Sequence, residues 1–396
     1  MKLLFLTTPC PWPATTGTRL RNAHLIRELS REHEVRTVVL EGAPVPDAQV
    51  PPGTEFLQLD RFNRPPAPAG GRWSRLGAQL RQAFGTMRPS LYAPIAWPEV
   101  AAAFRRLRPV AQWADAIWVS RSVWGWFLVR ANWGRPVVVD YDEITTLSER
   151  KYVSSHPFGP HKFFSTIDVL KHQMFDRRLA RRVWRVVVCK EEDRGFFGAR
   201  RDRAFVVPNG TDVRPELPAS EVEPNRLLFV GMMSYFPNQD AVRWFVRECL
   251  PLVGTGETPP VRLDVVGASP PPDILALNGE RVAVHGFVES VEEWYHRATV
   301  VVAPVRLGGG TRLKVLEALS YGKAVVATSE VVSGLNLRPG VDVEVADRPA
   351  EFAAACGRLL QDPVRRASLG HTGRARVLAQ FTWPQVGDAA RRVLSP

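Results

Sequence analysis

The sequence predicts an α/β protein of two Rossmann-like domains facing each other across a cleft. Three observations carry that prediction. Short β-type apolar runs alternate with segments of helical periodicity along the chain. The alternation starts twice, at Lys2 and again at Leu227. Between the two series, Thr211 to Asn225 is polar, contains Pro215, Pro218 and Pro224, and lacks an apolar run, as an interdomain linker does. The boundaries read as 1–212 for the first domain, 213–225 for the linker and 226–380 for the second domain. A closing helix over 381–396 is expected to pack back on the first.

The first series opens with a strand over Lys2–Thr8. A proline-rich loop follows, and Gly17-Thr18-Arg19 opens a helix to about Arg31 that buries Leu20, Ala23, Leu25, Ile26 and Leu29. Glu34–Leu40 is the second strand. Such β-loop-α-β units build parallel sheets with ligands at the carboxyl ends of the strands, where Gly17 falls. Residues 41–72 read as an irregular excursion. The segment from Trp73 to Leu107 reads as helices broken at Pro89 and Pro94, mixing arginines with Trp73, Phe84, Leu91 and Trp97. Ala116–Ser120 and Val137–Asp140 are strands, and Asp140-Tyr141-Asp142-Glu143 closes the second of them with three carboxylates. A helix from Phe163 to Arg182 carries a basic face, and Val186–Cys189 and Phe205–Pro208 are strands. In the second series Leu227–Gly231, Arg262–Gly267, Arg281–Phe287, Val300–Ala303 and Ala324–Ser329 read as strands. Asp240–Leu250, Val291–Arg297, Ala350–Leu360, Pro363–Gln380 and Pro384–Leu394 read as helices.

The most informative stretch is Gly308-Gly309-Gly310-Thr311-Arg312-Leu313-Lys314-Val315-Leu316-Glu317. Three glycines let the backbone turn tightly and approach a ligand closely. Thr311 suits an N-cap, and Leu313, Leu316 and Leu319 give one apolar helix face. A strand, a glycine turn and a helix N-terminus, with Arg306, Arg312 and Lys314 nearby, offer N–H groups, a positive dipole end and cations to a phosphate. The P-loop spacing is absent.

Composition narrows the class. With 396 residues, 45% of them apolar, each half can bury a core. Cys10, Cys189, Cys249 and Cys356 are far apart and show no C-x-x-C, which predicts reduced thiols rather than a disulfide frame or zinc site. The apolar run at Met1–Leu6 is too short for a signal peptide, and no stretch approaches the roughly 20 apolar residues of a membrane span. The expected location is the cytoplasm, including the inner face of the membrane. A formal net charge of +12 fits an anionic substrate, an anionic membrane surface or nucleic acid. No recognised nucleic-acid module interleaves its aromatics with basic residues here, so no nucleic acid is expected.

Taken together, these motifs resemble the GT-B glycosyltransferases, specifically the retaining family 4 (glycosyl transferases group 1). The resemblance rests on the Gly17 loop, Val188–Asp193, Val207–Asp212, Phe229-Val230-Gly231, Val284–Val288, the Gly308–Glu317 stretch and Gly322–Thr328, in that order. It implies transfer of a sugar from a nucleotide-sugar donor, held by the C-terminal domain, to a glycan, lipid-linked or other hydroxyl acceptor at the N-terminal domain. The setting it implies is cell-surface polysaccharide or glycoconjugate synthesis, without metal or other cofactor. By the same resemblance Glu317 binds the donor ribose, and Lys314 and Arg312 neutralise the diphosphate. Gly308, Gly309, Gly310 and Thr311 touch sugar or phosphates. Gly286, Phe287 and Val288 lie by the base, while Gly17 and Gly231 admit the diphosphate.

Three departures stand out. Gly309 occupies the position of a second family glutamate, and Met232 and Met233 stand where an arginine is usual, with Arg306, Arg312 and Lys314 as replacements. Asp142 stands where many members carry a histidine and is a candidate for acceptor or donor hydroxyls. These departures also motivate a rival class, a non-catalytic binding protein on a degenerate GT-B fold. Asp140-Tyr141-Asp142 matches the D-x-D of metal-dependent GT-A transferases, but the anion loop lies far downstream in another domain.

Overall fold

The computed structural model describes residues 1–40, 50–57, 89, 97–155, 158–215, 222–254, 259–308 and 313–395. They form two compact units, Met1–Pro208 with Val386–Pro396, and Asn209–Gln385. Gly309, Gly310, Thr311 and Arg312 lie outside the described residues, as do Arg72, Trp73, Arg75, Arg81, Phe84 and Leu91.

In the first unit the chain runs β1 (Lys2–Thr7), α1 (Gly17–Leu29), β2 (Glu34–Val39), β3 (Thr54–Phe56), α2 (Trp97–Trp113) and β4 (Ala116–Ser120). It continues with α3 (Ser122–Ala131), β5 (Val137–Tyr141), α4 (Thr145–Ser155), α5 (Pro160–Ala180) and β6 (Arg185–Val188). A kinked 3₁₀ stretch over Glu191–Arg203 and β7 (Ala204–Val206) follow. The strands make a seven-stranded sheet in the order β3-β2-β1-β4-β5-β6-β7, every pair parallel. β4 and β5 are buried along their full length, as a parallel sheet covered on both faces requires.

The second unit runs β8 (Arg226–Val230), α6 (Phe236–Trp244), β9 (Arg262–Val266), α7 (Pro272–Leu275), β10 (Val282–Gly286), α8 (Glu292–Arg297) and β11 (Val300–Ala303). Then come α9 (Leu313–Ser320), β12 (Val325–Ala327), α10 (Ser329–Val332), β13 (Glu344–Val345), α11 (Pro349–Gln361), α12 (Pro363–Gln380) and α13 (Trp383–Leu394), whose last residues join the first unit. Its six-stranded sheet has the order β10-β9-β8-β11-β12-β13 and is also parallel throughout. Strand order reverses at β1/β4 and at β8/β11. Those are the switch points where an open α/β sheet leaves a crevice beyond its carboxyl ends.

Several elements differ from the sequence reading. The excursion after β2 contains a short edge strand, β3, in register with β2. α2 starts after the predicted break at Pro94 and runs through Pro109. α6 begins at Phe236 rather than Asp240, with Pro237 in its first turn, where a missing N–H costs nothing. It then loosens into a π turn over Phe245–Cys249. α3 and α4 carried no clear periodic signal in the sequence. All four cysteines are free and buried, and among the described residues no helix is long and apolar enough to cross a membrane.

One buried carboxyl gives the first unit a titratable joint. Asp176 on α5 accepts hydrogen bonds from the hydroxyls of Tyr141 (3.1 Å) and Thr146 (3.0 Å). Burial pushes its pKa up to about 6, against those bonds and the charge of His172. A raised carboxyl adds stability that is fully present below its unfolded value and is lost as pH rises through about 6. Wild-type stability relative to Asp176→Asn should therefore fall by about 3 kcal/mol between pH 3.5 and 7. Denaturant midpoints across that range test it, and a pH-independent difference would refute it.

Candidate functional site

In the second unit the site grows from three glycines at the carboxyl ends of neighbouring strands. Gly231 follows β8, Gly267 follows β9 and Gly286 ends β10. Gly231 donates its N–H to the Val266 carbonyl (2.9 Å) and Gly267 to the Gly286 carbonyl (2.8 Å). A Cβ on Gly267 would lie 1.8 Å from the Gly231 carbonyl oxygen, so these strand ends meet backbone to backbone. Gly286 has φ +70° and open space where a Cβ would go. Phe287 beside it is 71% exposed, and Val288 packs on the core.

Above Gly231 sits the Lys314 ammonium. Lys314 Nζ donates to Asn238 Oδ1 at 2.6 Å and lies 4.3 Å from the centre of the Phe229 ring. Asn238 Nδ2 in turn donates to the Met232 carbonyl (2.7 Å). A Cβ on Gly231 would fall 2.9 Å from Lys314 Nζ and 2.8 Å from Asn238 Nδ2. Glycine is needed at 231 because the ammonium and the amide occupy the space over it. Gly308, with φ +101°, ends the described segment after β11, so Gly308 and Gly231 flank the β8/β11 switch point.

Glu317 lies one helical turn beyond Lys314 on α9. Its Oε2 accepts from the Tyr295 hydroxyl at 3.0 Å. Burial raises the Glu317 carboxyl above its ordinary range, while the Tyr295 bond and the Arg214 charge act the other way. Tyr295 stacks on Tyr321 with centroids 4.8 Å apart, and Arg214 lies over Tyr321 at 5.6 Å. Arg306 is held elsewhere, paired with Asp240 (2.9 and 3.1 Å from one guanidinium nitrogen) and set over the Trp244 ring at 5.0 Å.

The first unit has a buried polar cluster at the β1/β4 switch point. Asn22 Nδ2 donates to Thr7 Oγ1 (2.8 Å), and Trp124 Nε1 donates to Thr8 Oγ1 (2.9 Å). Beside it, Thr18 Oγ1 donates to Asp142 Oδ2 (2.7 Å), so the residue after Gly17 meets the carboxylate that follows β5. Asp140 is buried in an ion pair with Arg21, at 2.9 and 3.1 Å from two guanidinium nitrogens. Arg21 also donates to the carbonyls of Val207 (2.9 Å) and Pro208 (3.0 Å). This pair keeps Arg21 firmly protonated. Asp140 thus anchors α1, and the apparent D-x-D does not present two free carboxylates.

Glu149, Asp168 and His172, on α4 and α5, bring ligand-type atoms within 4.8 Å of one another. The His172 imidazole contacts Glu149. Burial lowers its pKa, yet Glu149 and the neighbouring carboxylates raise it overall.

The sequence singled out Gly231, Gly286, Phe287, Val288, Gly308, Lys314 and Glu317. The structure gathers Gly231 with Lys314, sets Gly308 at the same switch point, and puts Glu317 one turn along the same helix. Gly286, Phe287 and Val288 lie at the end of β10. Arg306 stands apart on Asp240, and Gly17 and Asp142 belong to the first unit. Sequence reasoning missed Asn238, Tyr295 and Arg214.

The fold has counterparts among solved structures, and part of the chain matches a family model. Residues 224–362 match the family model described as glycosyl transferases group 1. Sucrose-phosphate synthase from Thermosynechococcus elongatus superimposes with a TM-score of 0.73 at 18% identity, over 99% of this chain and 98% of its own. HepE from Anabaena, solved with UDP-glucose, gives 0.66 at 16% identity over 100% of each chain. TarM gives 0.69 at 9% identity over 100% of this chain and 99% of its own. No curated protein matches the chain by sequence. The fold is that of the GT-B glycosyltransferases. The family match lies within the second unit, over residues 224–362, and the likeness of the whole chain to the solved structures is one of fold.

The backbone contact at Gly267 yields a prediction. Gly267→Ala should cost at least about 1–3 kcal/mol through overpacking against backbone that cannot swing away. Gly286→Ala, with free space but φ +70°, should cost only about 1–2 kcal/mol. Urea unfolding of the two variants tests the order; equal small losses would mean the strand ends can part.

Proposed function

We propose that this chain transfers a sugar from a nucleotide-sugar to a hydroxyl acceptor with retention of anomeric configuration, and without a metal ion. The acceptor is a glycan or lipid-linked glycan of cell-surface polysaccharide or glycoconjugate synthesis. It is bound by the first unit, and the donor by the second. The observation that carries this reading is the Lys314 ammonium fixed over Gly231 at the β8/β11 switch point.

The reaction breaks the bond between the anomeric carbon and the diphosphate. Negative charge grows on the leaving oxygens, and a preorganised ammonium there stabilises the transition state more than the ground state. Lys314 supplies that charge, and the glycine turn after Gly308, with Thr311 and Arg312, supplies N–H groups and a second cation. Glu317 accepts the ribose hydroxyls through the oxygen that Tyr295 leaves open. Gly286, Phe287 and Val288 border the base. The acceptor attacks the face the diphosphate leaves, and the departing diphosphate takes the acceptor proton, so no dedicated base is required. Asp142, oriented by Thr18, receives sugar hydroxyls. Because HepE was solved with UDP-glucose, UDP-sugars are the first donors to assay.

Lys314→Ala should lower kcat about 10²–10³-fold, as for removal of an oxyanion donor, and leave the melting temperature within a few degrees. Near-wild-type turnover would defeat the assignment. Excess EDTA should leave turnover unchanged in the same assay; a loss restored by a divalent cation would instead establish a metal requirement.

A further inference from the structure

At the opposite end of the first unit's sheet, the turns entering β5, β6 and β7 each deliver arginine. Arg135 lies two residues before β5, Arg181 and Arg182 lie between α5 and β6, and Arg203 immediately precedes β7. Because β5, β6 and β7 are adjacent and parallel, their amino ends align. The four arginines therefore line one cavity of about 410 Å³, with Trp133 and Trp184 in its wall. That volume falls within the range of small-molecule sites, roughly 300–1,000 Å³. β5 carries Asp142 beyond its far end, so this cavity is distinct from the switch-point residues described above.

The charge is what sets the cavity apart. No carboxylate lines it. Several arginines elsewhere are paired with carboxylates, as in Arg21 with Asp140, Arg226 with Asp264 and Arg338 with Asp342. Here Arg135 donates to the Gln112 carbonyl (2.6 Å) and Arg182 lies over Trp126 (5.6 Å), contacts that orient a guanidinium and leave its charge uncompensated. Glu34 and Asp115 line an adjoining recess that shares only Arg135 with this cavity.

We propose that this cavity binds a phosphorylated ligand, its oxyanions held by Arg135, Arg181, Arg182 and Arg203 and its apolar part resting against Trp133 and Trp184. Guanidinium forks match phosphate geometry in pairs of hydrogen bonds. The phosphate is either that of a free phosphorylated molecule or the headgroup of an anionic lipid. The solvent face of α5 leads toward Arg181 and exposes Phe163 (51%), Leu170 (52%) and Met174 (39%), which makes the lipid source worth testing directly.

Two probes applied to the full chain decide the matter. One is inorganic pyrophosphate, by calorimetry; the other is sedimentation with phosphatidylglycerol-containing vesicles against pure phosphatidylcholine vesicles. Both are run in the Lys314→Ala background, which removes the donor-side cation. Binding should persist there and weaken about tenfold or more on adding Arg181→Gln and Arg203→Gln, the loss expected for two charge-assisted contacts. Both arginines are exposed, so unchanged circular dichroism melting is expected of the variant. Pyrophosphate binding identifies a free phosphorylated ligand; binding to anionic vesicles alone identifies a lipid headgroup. Binding of neither probe, or binding untouched by the arginine changes, overturns the proposal.

Discussion

The second unit turns on one close approach. Gly267 stands so near the Gly231 carbonyl that a single added carbon would overlap it. The carboxyl ends of β8 and β9 are thereby drawn together, and the backbone at Gly231 is left bare on its other side. An ammonium and a primary amide fill that bare side. Two glycines thus perform different tasks on adjacent strands: one permits contact between backbones, the other leaves room for the side chains above it. The position of Lys314 follows from both, because a displaced strand end would carry Asn238 and the Met232 carbonyl with it.

The first unit repeats the principle with charge instead of close contact. Arg21 reaches from α1 to Asp140 at the end of β5 and to the carbonyls of Val207 and Pro208. An ion pair this deep contributes little net stability, yet removing one partner leaves a buried charge and costs about 3–5 kcal/mol. The pair therefore fixes where α1 begins relative to β5, and so sets Thr18 against Asp142. Polar side chains from β1, α1 and β4 meet at the same switch point. Each unit in this way places polar chemistry where its strand order reverses.

Much of this was legible in the sequence. Buried parallel strands are continuous apolar runs, so their positions were read nearly to the residue. Lys314 stood out as a cation beside a glycine turn at a helix N-terminus, and Gly231 and Glu317 through the family resemblance. Illegible were residues whose significance depends on a distant partner. Asp140 and Arg21 are 119 positions apart, and no local pattern links them. Tyr295 looked like one more aromatic on a short helix until its hydroxyl was seen on Glu317. Arg214 sits in a polar stretch that read as linker. β3 went unread because three residues are too few to show alternation. α3, apolar on nearly every side, gave no periodic face.

The methionines at 232 and 233 pose the remaining question, namely how the proposed diphosphate is neutralised without a cation there. Arg306 is poorly placed for the task. It is engaged with the carboxylate of Asp240, a pair of zero net charge, and turning toward a phosphate would strand that carboxylate. Lys314 is placed differently, because Asn238 is a neutral acceptor that orients the ammonium without cancelling its charge. At about 4 Å and an effective dielectric near 20, one unit charge is worth roughly 4 kcal/mol to a facing anion, comparable to the whole effect of a lost oxyanion donor. A neutral amide at 238 and an uncharged residue at 232 are therefore consistent with each other. Both leave the positive charge of this corner to α9, the helix that also carries Glu317, so phosphate and ribose would be held by side chains one turn apart on a single rigid element.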